Sequence, residues 1–355
     1  MRKQVYRTLT AKLQRRLRAS SQAQVRNLAL LSQGLVFSRD CHLSNVALEM
    51  PIEGQREHLM QRLRRLLKNS HIQWRVHYLP LVKELLSYWP DREVNLVMDR
   101  TDIGQEKSIL MLALAFKHRA LPLTWRVLPF GGTSERLQMT LLDEIEPYLP
   151  AVEEKRIYFY GDSEFRAVAL QRYCRQRQWG WQVGVKSDTL FHQGDGPWRA
   201  LKSIPIRPGE RRHFHNITLT HAHRFGPVHL TVDWKHHHEQ PRYVVCDKPT
   251  NHATWRRGRK RFWIEPFFRD YKSAGFDLER SQITDDERLA RLLLGMAVTT
   301  LWLLHLGHWL VQSGRRHWLT TDHRNDYSLF RLGRDYAQRS QIQNWELPIF
   351  FCRRS

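Results

Sequence analysis

Along the first 90 residues, leucines recur three or four positions apart between arginines: Leu13 and Leu17, then Leu28, Leu31 and Leu35, then Leu59, Leu63, Leu66 and Leu67. This spacing puts them on one face of a helix, so residues 1–90 are expected to form a small basic helical domain. After Pro90 the period changes. VNLVMD (94–99), SILMLALAF (108–116) and LPLTWRVLP (121–129) are apolar runs of strand length with short connectors, the pattern of a three-strand antiparallel meander. Helical periodicity returns in SERLQMTLLDEIEPYL (134–149) and EFRAVALQRYCRQRQ (164–178), and each is followed by a strand, IYFYGD (157–162) and WQVGVK (181–186).

The resulting order, β-β-β-α-β-α-β with a further helix to follow, predicts an α/β fold with a ribonuclease H-like core. In that topology the first and fourth strands are neighbours, so Asp99 at the end of one and Asp162 at the end of the other are expected side by side. Residues 91–186 would form the first part of this core. Residues 187–250, rich in Gly, Pro and His with β-type pieces at HNITLTHA, PVHLTVDWK and RYVVCDK, read as a β-rich insertion outside it. Residues 251–315 would complete the core, and 316–355 form a C-terminal segment. Within the completing part, LLLGMAVTTLWLLHLGHWL (292–310) is about long enough to span a bilayer. The capping signal Thr284-Asp285-Asp286-Glu287 ahead of it, and His305 and His308 within it, favour a buried core helix instead.

Charge narrows the partner. Lys and Arg number 57 against 35 Asp and Glu, a net charge of +22, so the surface attracts phosphates in a salt-dependent way. With 355 residues, 41% hydrophobic content and 13 Trp, the chain can bury a large core, which sets it apart from disordered basic proteins. Cys41, Cys174, Cys246 and Cys352 form no CxxC pair, so neither a zinc site nor a disulfide framework is indicated. His236, His237 and His238 lack partnered Cys/His spacing and read as a polar loop. The N-terminus, MRKQVYRTLTAKLQRRLR, has no apolar export region, and a cytoplasmic protein in a reducing compartment is expected.

A third acid lies in TWRRGRKRFWIEPFFRDYKSAGF (254–276). Proline is tolerated in the first turn of a helix, so Pro266 places a helix start near Ile264. If residues 265–275 are helical, Glu265, Arg269 and Lys272 share one face, putting an acid and two cations together with Arg259, Lys260 and Arg261 on the approach. The alternative is a surface helix with an internal Glu265–Arg269 pair. Rivals for the other two acids are Asp102, on the opposite strand face from Asp99, and Glu164, which reads as a first-turn helix acid beside Asp162. Asp162 itself could be an N-cap. Trp255 and Trp263 are either packing residues or platforms for an unstacked base.

The ordered acids, in DRT (99–101), DSEF (162–165) and RFWIEPFFRDYK (261–272), resemble the bacterial insertion-sequence transposases of the DDE type known as insertion-sequence family four. The family's pattern at its glutamate is Tyr, two residues, Arg, three residues, Glu, six residues, Lys. Arg261, Glu265 and Lys272 fit it, and Gly258 stands where the tyrosine would be. The resemblance covers about residues 25–335. It implies a DNA transposase with Asp99, Asp162 and Glu265 as catalytic, metal-holding acids. Two Mg²⁺ or Mn²⁺ ions are expected, as hard oxygen ligands favour and as two-metal phosphodiester chemistry requires. Asp99 would bridge both ions, with Asp162 on one and Glu265 on the other. Arg261, Arg269, Lys272, Trp255 and Trp263 would contact DNA, and the basic helical residues 1–90 are either a DNA-binding domain or an ordinary charged bundle. The implied partners are double-stranded transposon ends and target DNA, held by a homodimer near the bacterial nucleoid, with excision through a hairpin intermediate. The loss of the tyrosine leaves open a catalytically silent DNA-binding descendant, and a stand-alone metal-dependent nuclease is the third reading.

Overall fold

The computed structural model describes residues 1–321 and 326–352. Of the C-terminal segment expected at 316–355, residues 322–325 and 353–355 therefore lie outside the described residues. The first 90 residues form six helices: α1 (Arg2–Arg16), α2 (Gln22–Ser38), α3 (Leu43–Leu48), α4 (Arg56–Lys68), α5 (Trp74–His77) and α6 (Leu79–Ser87). Their leucine faces are inside: Leu13, Leu28, Leu31, Leu35 and Leu63 are almost fully buried. Ser21 and Gln24 cap the start of α2 reciprocally, each side chain bonding the other's backbone N–H.

The central part comprises β1 (Glu93–Ile103), β2 (Lys107–Phe116), β3 (Arg119–Pro129), α7 (Glu135–Ile145), β4 (Arg156–Gly161), α8 (Val168–Gln176) and β5 (Gly180–Val185). The strands lie in the order β3-β2-β1-β4-β5, with β1, β2 and β3 antiparallel and β1, β4 and β5 parallel. This is a ribonuclease H-like core. From Ser108 to Phe116 every residue of β2 is buried, because the sheet is covered on both faces and alternation has no solvent side to show.

The next strands are β6 (Leu190–Gln193), β7 (Arg199–Ala200), β8 (Arg211–Leu219), β9 (Phe225–Asp233) and β10 (Arg242–Cys246). The sequence places these outside the core, but β10 pairs antiparallel with β5 and the sheet runs on to ten strands as β5-β10-β9-β8-β6-β7. Without β10, β5 would expose a row of backbone donors and acceptors, and the insertion satisfies them. Among the described residues no three His, Cys, Asp or Glu side chains are grouped to hold a metal ion. All four cysteines are buried, and Cys41, Cys174 and Cys246 are free thiols.

The chain then forms α9 (His252–Gly258), a 3-10 turn over Arg259–Trp263, α10 (Ile264–Arg269), α11 (Asp286–Gln312) and α12 (Leu329–Gln343). The cap of α11 falls one residue later than the expected Thr284–Glu287 capping box: Asp285 is the N-cap, its Oδ1 accepting from the Arg288 N–H at 2.8 Å. By length and composition α11 could cross a membrane, but 89% of its most apolar window is buried inside the protein, packed against α2, α4, α12 and β3. The Thr299 and Thr300 hydroxyls donate within the helix to the carbonyls of Gly295 and Met296, each at 2.8 Å, and Trp302 Nε1 donates to the Pro348 carbonyl at 2.9 Å. Burial lowers His305 to about 4, which keeps its ring neutral between Leu301 O and Phe116.

Two glycines set the approach of α12 to α11. A Cβ on Gly333 would run into the Leu303 carbonyl, and one on Gly307 into the Leu329 carbonyl, both backbone atoms that cannot turn aside. Gly333→Ala is expected to destabilise the fold by about 1–3 kcal/mol, the usual effect of overpacking, read as a lower midpoint in urea denaturation. An unchanged midpoint would mean that α12 is not seated this closely.

Candidate active site

β1 and β4 pair in parallel from Glu93↔Arg156 to Val97↔Tyr160, and the pairing stops there. Asp99 lies two residues beyond Val97, and Asp162 two beyond Tyr160, so both acids stand where the strands part. The sequence puts Asp99 at a strand end, whereas β1 continues to Ile103 along β2, with Asp99 opposite Met111. It is the parallel pairing that ends near Asp99, not the strand. Asp99 Oδ1 accepts from the Arg100 N–H at 2.9 Å. Asp162 Oδ1 accepts from the Glu164 N–H at 2.8 Å, so Asp162 does cap the 3-10 turn Ser163–Phe165 as well as standing at the gap. The turn passes close over β5: a Cβ on Gly184 would come within 2.9 Å of Ser163 N.

Glu265 arrives from α10, where Pro266 is accommodated in the first turn. The α-helical part ends at Arg269 and the chain continues as a wider π-type turn over Asp270–Ala274, in place of the continuous helix expected to 275. Asp270 anchors this turn: it is buried, ion-paired to Arg119 Nε at 2.7 Å, and its carbonyl accepts from the Phe276 N–H. Asp99, Glu265, Arg269 and Lys272 nevertheless line one shallow depression of about 490 Å³, with Lys272 ion-paired to Glu279 at 3.0 Å. Asp162 opens onto a second depression of about 380 Å³ with Trp255, Gly258, Arg261 and Phe262.

Arg261 links the two. It lines the Asp162 depression, and its Nη1 donates to Glu265 Oε1 at 3.0 Å. The Asp99 carboxyl is pushed up to about 7, mainly by burial; Arg261 pulls it down, while Asp162 and Glu265 push it further up. The three acids and this guanidinium therefore act on one another electrically. No ion can be assigned a closed cage here, since no three of the described ligand-type side chains are grouped for it. The donors still suit a hard divalent cation in kind: three carboxylates, with a cationic side chain already drawn to one of them.

The remaining sequence candidates separate clearly. Trp255 is partly exposed at the Asp162 depression, with the Arg211 guanidinium 4.9 Å from its ring centroid. Trp263 lines neither depression; it packs on the core with His118 4.7 Å away. Asp102 is bonded by Arg100 and by the Ser108 hydroxyl at 2.6 Å, away from Asp99. Glu164 spends its carboxylate on Arg100 and Thr133 rather than on the helix dipole expected of a first-turn acid. Glu93 was not visible as a site residue in the sequence. It ion-pairs with Lys260 at 3.0 Å and Arg257 at 3.5 Å, tying the approach to Glu265 onto the start of β1. Its only sequence signal is an acid at the head of an apolar run.

Gly258 has a local explanation. A Cβ there would strike Gln182 Oε1, and Gln182 Nε2 donates to the Thr254 carbonyl at 3.0 Å. The side chain from β5 thus takes the room beside position 258.

The profile of a family described as "Transposase DDE domain" matches residues 100–302, more than half of the chain. The match spans Asp162 and Glu265 and begins beside Asp99. Among solved structures, the chain is similar to a piggyBac transposase in a synaptic complex with hairpin DNA, at a TM-score of 0.47 and 10% identity over 95% of this chain and 78% of that one. No curated protein matches the chain.

The Asp99 shift has a definite consequence for stability. An unfolded Asp titrates near 4, so as pH rises from about 4 to about 7 the unfolded chain loses this proton before the folded protein does, and the metal-free fold loses stability over that window. Asp99→Asn removes the effect. The variant should match the parent near pH 4 and exceed it at pH 8, with about 4 kcal/mol as a ceiling that partial solvation reduces. Urea denaturation in EDTA across this range measures it, and parallel pH profiles would place the Asp99 carboxyl in water.

Proposed function

Because the chain belongs to the Transposase DDE domain family, we propose that it is a DNA transposase of insertion-sequence family four, cutting transposon ends and joining them to target DNA. The observation that carries this reading is the placement of Asp99 and Asp162 two residues beyond the last β1/β4 pair, electrically coupled to Glu265 and Arg261. The net charge of +22 supports DNA as the partner.

Asp99, Asp162 and Glu265 are the residues that would hold divalent cations, Mg²⁺ or Mn²⁺. Such ions, when bound, supply an activated water and stabilise charge on the attacking and leaving oxygens of a phosphodiester. The chain's own groups do the rest. Arg261 is the cation bonded to Glu265 and acting on Asp99, and a DNA phosphate competes with Glu265 for its guanidinium. Arg269 and Lys272, beside Asp99, neutralise the next phosphates along the strand. Trp255, at the mouth of the Asp162 depression, offers a ring on which an unstacked base can lie. In hydrolysis a water oxygen replaces the 3′-oxygen on one phosphorus, leaving a 5′-phosphate and a 3′-hydroxyl; in joining, that hydroxyl bonds to a target phosphorus and displaces the target's own 3′-oxygen, so a single acid site would serve both steps. Under this reading the protein works in the bacterial cytoplasm as a homodimer on paired ends.

A second reading, a DNA-binding protein that no longer cuts, is favoured by one observation: Gln182 occupies the place beside Gly258 where the family's tyrosine would stand.

Purified protein with Mg²⁺ or Mn²⁺ should cleave DNA carrying the element's own ends and yield strand-transfer products. Asp99→Ala and Glu265→Ala should each lower cleavage at least a thousandfold while leaving end binding within about twofold, the pattern of lost transition-state stabilisation. Arg269→Ala should weaken binding and reduce the salt slope by about 1. Cleavage without joining would identify a nuclease, and binding without cleavage by the parent protein would establish the silent reading. Full cleavage by both acid variants would refute the site.

A further inference from the structure

Beyond Val97 and Tyr160 no backbone ladder joins β1 to β4, yet the two acids of the proposed site lie past that point. A side-chain bridge replaces the ladder. Arg100, next to Asp99, donates from Nε to Glu164 Oε2 at 3.0 Å, and Glu164 is two residues from Asp162. The backbone N–H groups of these same two residues hold the acids: Arg100 N–H bonds Asp99 Oδ1 and Glu164 N–H bonds Asp162 Oδ1. Each partner of the ion pair therefore fixes one acid by its main chain and the other partner by its side chain.

Both side chains are themselves held. Arg100 Nη1 donates to Asp102 and, at 3.0 Å, to the Ser108 hydroxyl on β2. Glu164 Oε1 accepts from the Thr133 N–H at 2.9 Å and from its hydroxyl at 2.6 Å, bringing in the loop that leads to α7. Gln138 Nε2 closes the set on the Thr133 hydroxyl at 2.9 Å. Arg100 and Glu164 are about one-fifth exposed. An exposed ion pair contributes little, but this one is largely shielded, shared among four chain segments, and sits where the sheet has stopped holding the two strands.

We propose that Arg100 and Glu164 are positioning residues: a clamp that sets the separation of Asp99 and Asp162 for cation binding, with no contact to substrate. The proposal rests on the metal-holding reading of the acids. Holding the partners of metal ligands in this way is typically worth 10- to 100-fold in metal affinity.

The test uses the full-length protein, with Mn²⁺ as the probe. Glu164→Gln keeps an acceptor for Thr133 and removes the negative charge that faces Arg100. It should raise the Mn²⁺ dissociation constant at least tenfold by calorimetry while Tm changes little. Without metal, it should speed hydrogen exchange at the Arg100 and Glu164 amides and leave the Leu96 and Phe159 amides unchanged. Arg100→Met should reproduce both effects, and Arg100→Lys should restore part of the affinity. Unchanged affinity and exchange in Glu164→Gln would overturn the clamp, as would an affinity loss matched by a general fall in Tm and faster exchange throughout the sheet. If the parent binds no Mn²⁺, or Asp99→Asn binds it equally well, the metal-holding reading fails and the clamp's role in cation binding fails with it. Amide exchange then reports separately whether Arg100 and Glu164 still tie the two strands.

Discussion

The parallel pairing of β1 with β4, and the point where it stops, organises this protein. From Val94 and Ile157 onward the paired stretches are buried and, Asn95 apart, apolar or aromatic, as a sheet covered on two faces demands. Where it ends at Val97 and Tyr160, the strands part and polar groups become affordable. Asp99 and Asp162 sit at equal distances beyond that point, and their separation depends on the side chains that bridge the opening. The proposed chemistry thus begins at the boundary between a region held by backbone hydrogen bonds and one held by ion pairs.

Charge explains why the opening needs so many partners. Three carboxylates near one another oppose ionisation, and the raised Asp99 carboxyl reflects that opposition together with burial. Arg261 relieves part of it, bound to Glu265 and acting on Asp99. Around this small acidic site the rest of the chain is strongly basic. Under the proposed function an anionic polymer is drawn to the surface as a whole, cations are drawn to the acids, and the two attractions meet at Arg261.

The architecture around the opening is continuous. Strands β6 to β10 extend the core sheet past β5, and the last of them leads directly into α9 and the turn that delivers Arg261 and Glu265. Glu93, at the head of β1, holds that turn through Lys260 and Arg257. On the other side, α11 packs against both the N-terminal helices and β3, so the hydrophobic core runs unbroken from the first helices through the sheet.

Local pattern was enough to place the elements. The leucine spacing of the N-terminal helices, the apolar runs of β1 to β5 and the capping signal before α11 are short-range features that depend on the chain's own periodicity. The order of elements alone implies that β1 adjoins β4, which brings Asp99 and Asp162 to neighbouring positions. Contacts between distant residues were another matter. That β10 would complete the edge of β5, that Gln182 would fill the space beside Gly258, that Trp263 would pack inward while Trp255 faced the depression, and that α10 would widen after Arg269 around a buried Asp270 all depend on which surfaces meet. Nothing in the spacing of Arg100 and Glu164, 64 residues apart, marks them as a pair. Periodicity records which face of an element is apolar, whereas an ion pair across two strands exists only once the sheet has brought their ends together.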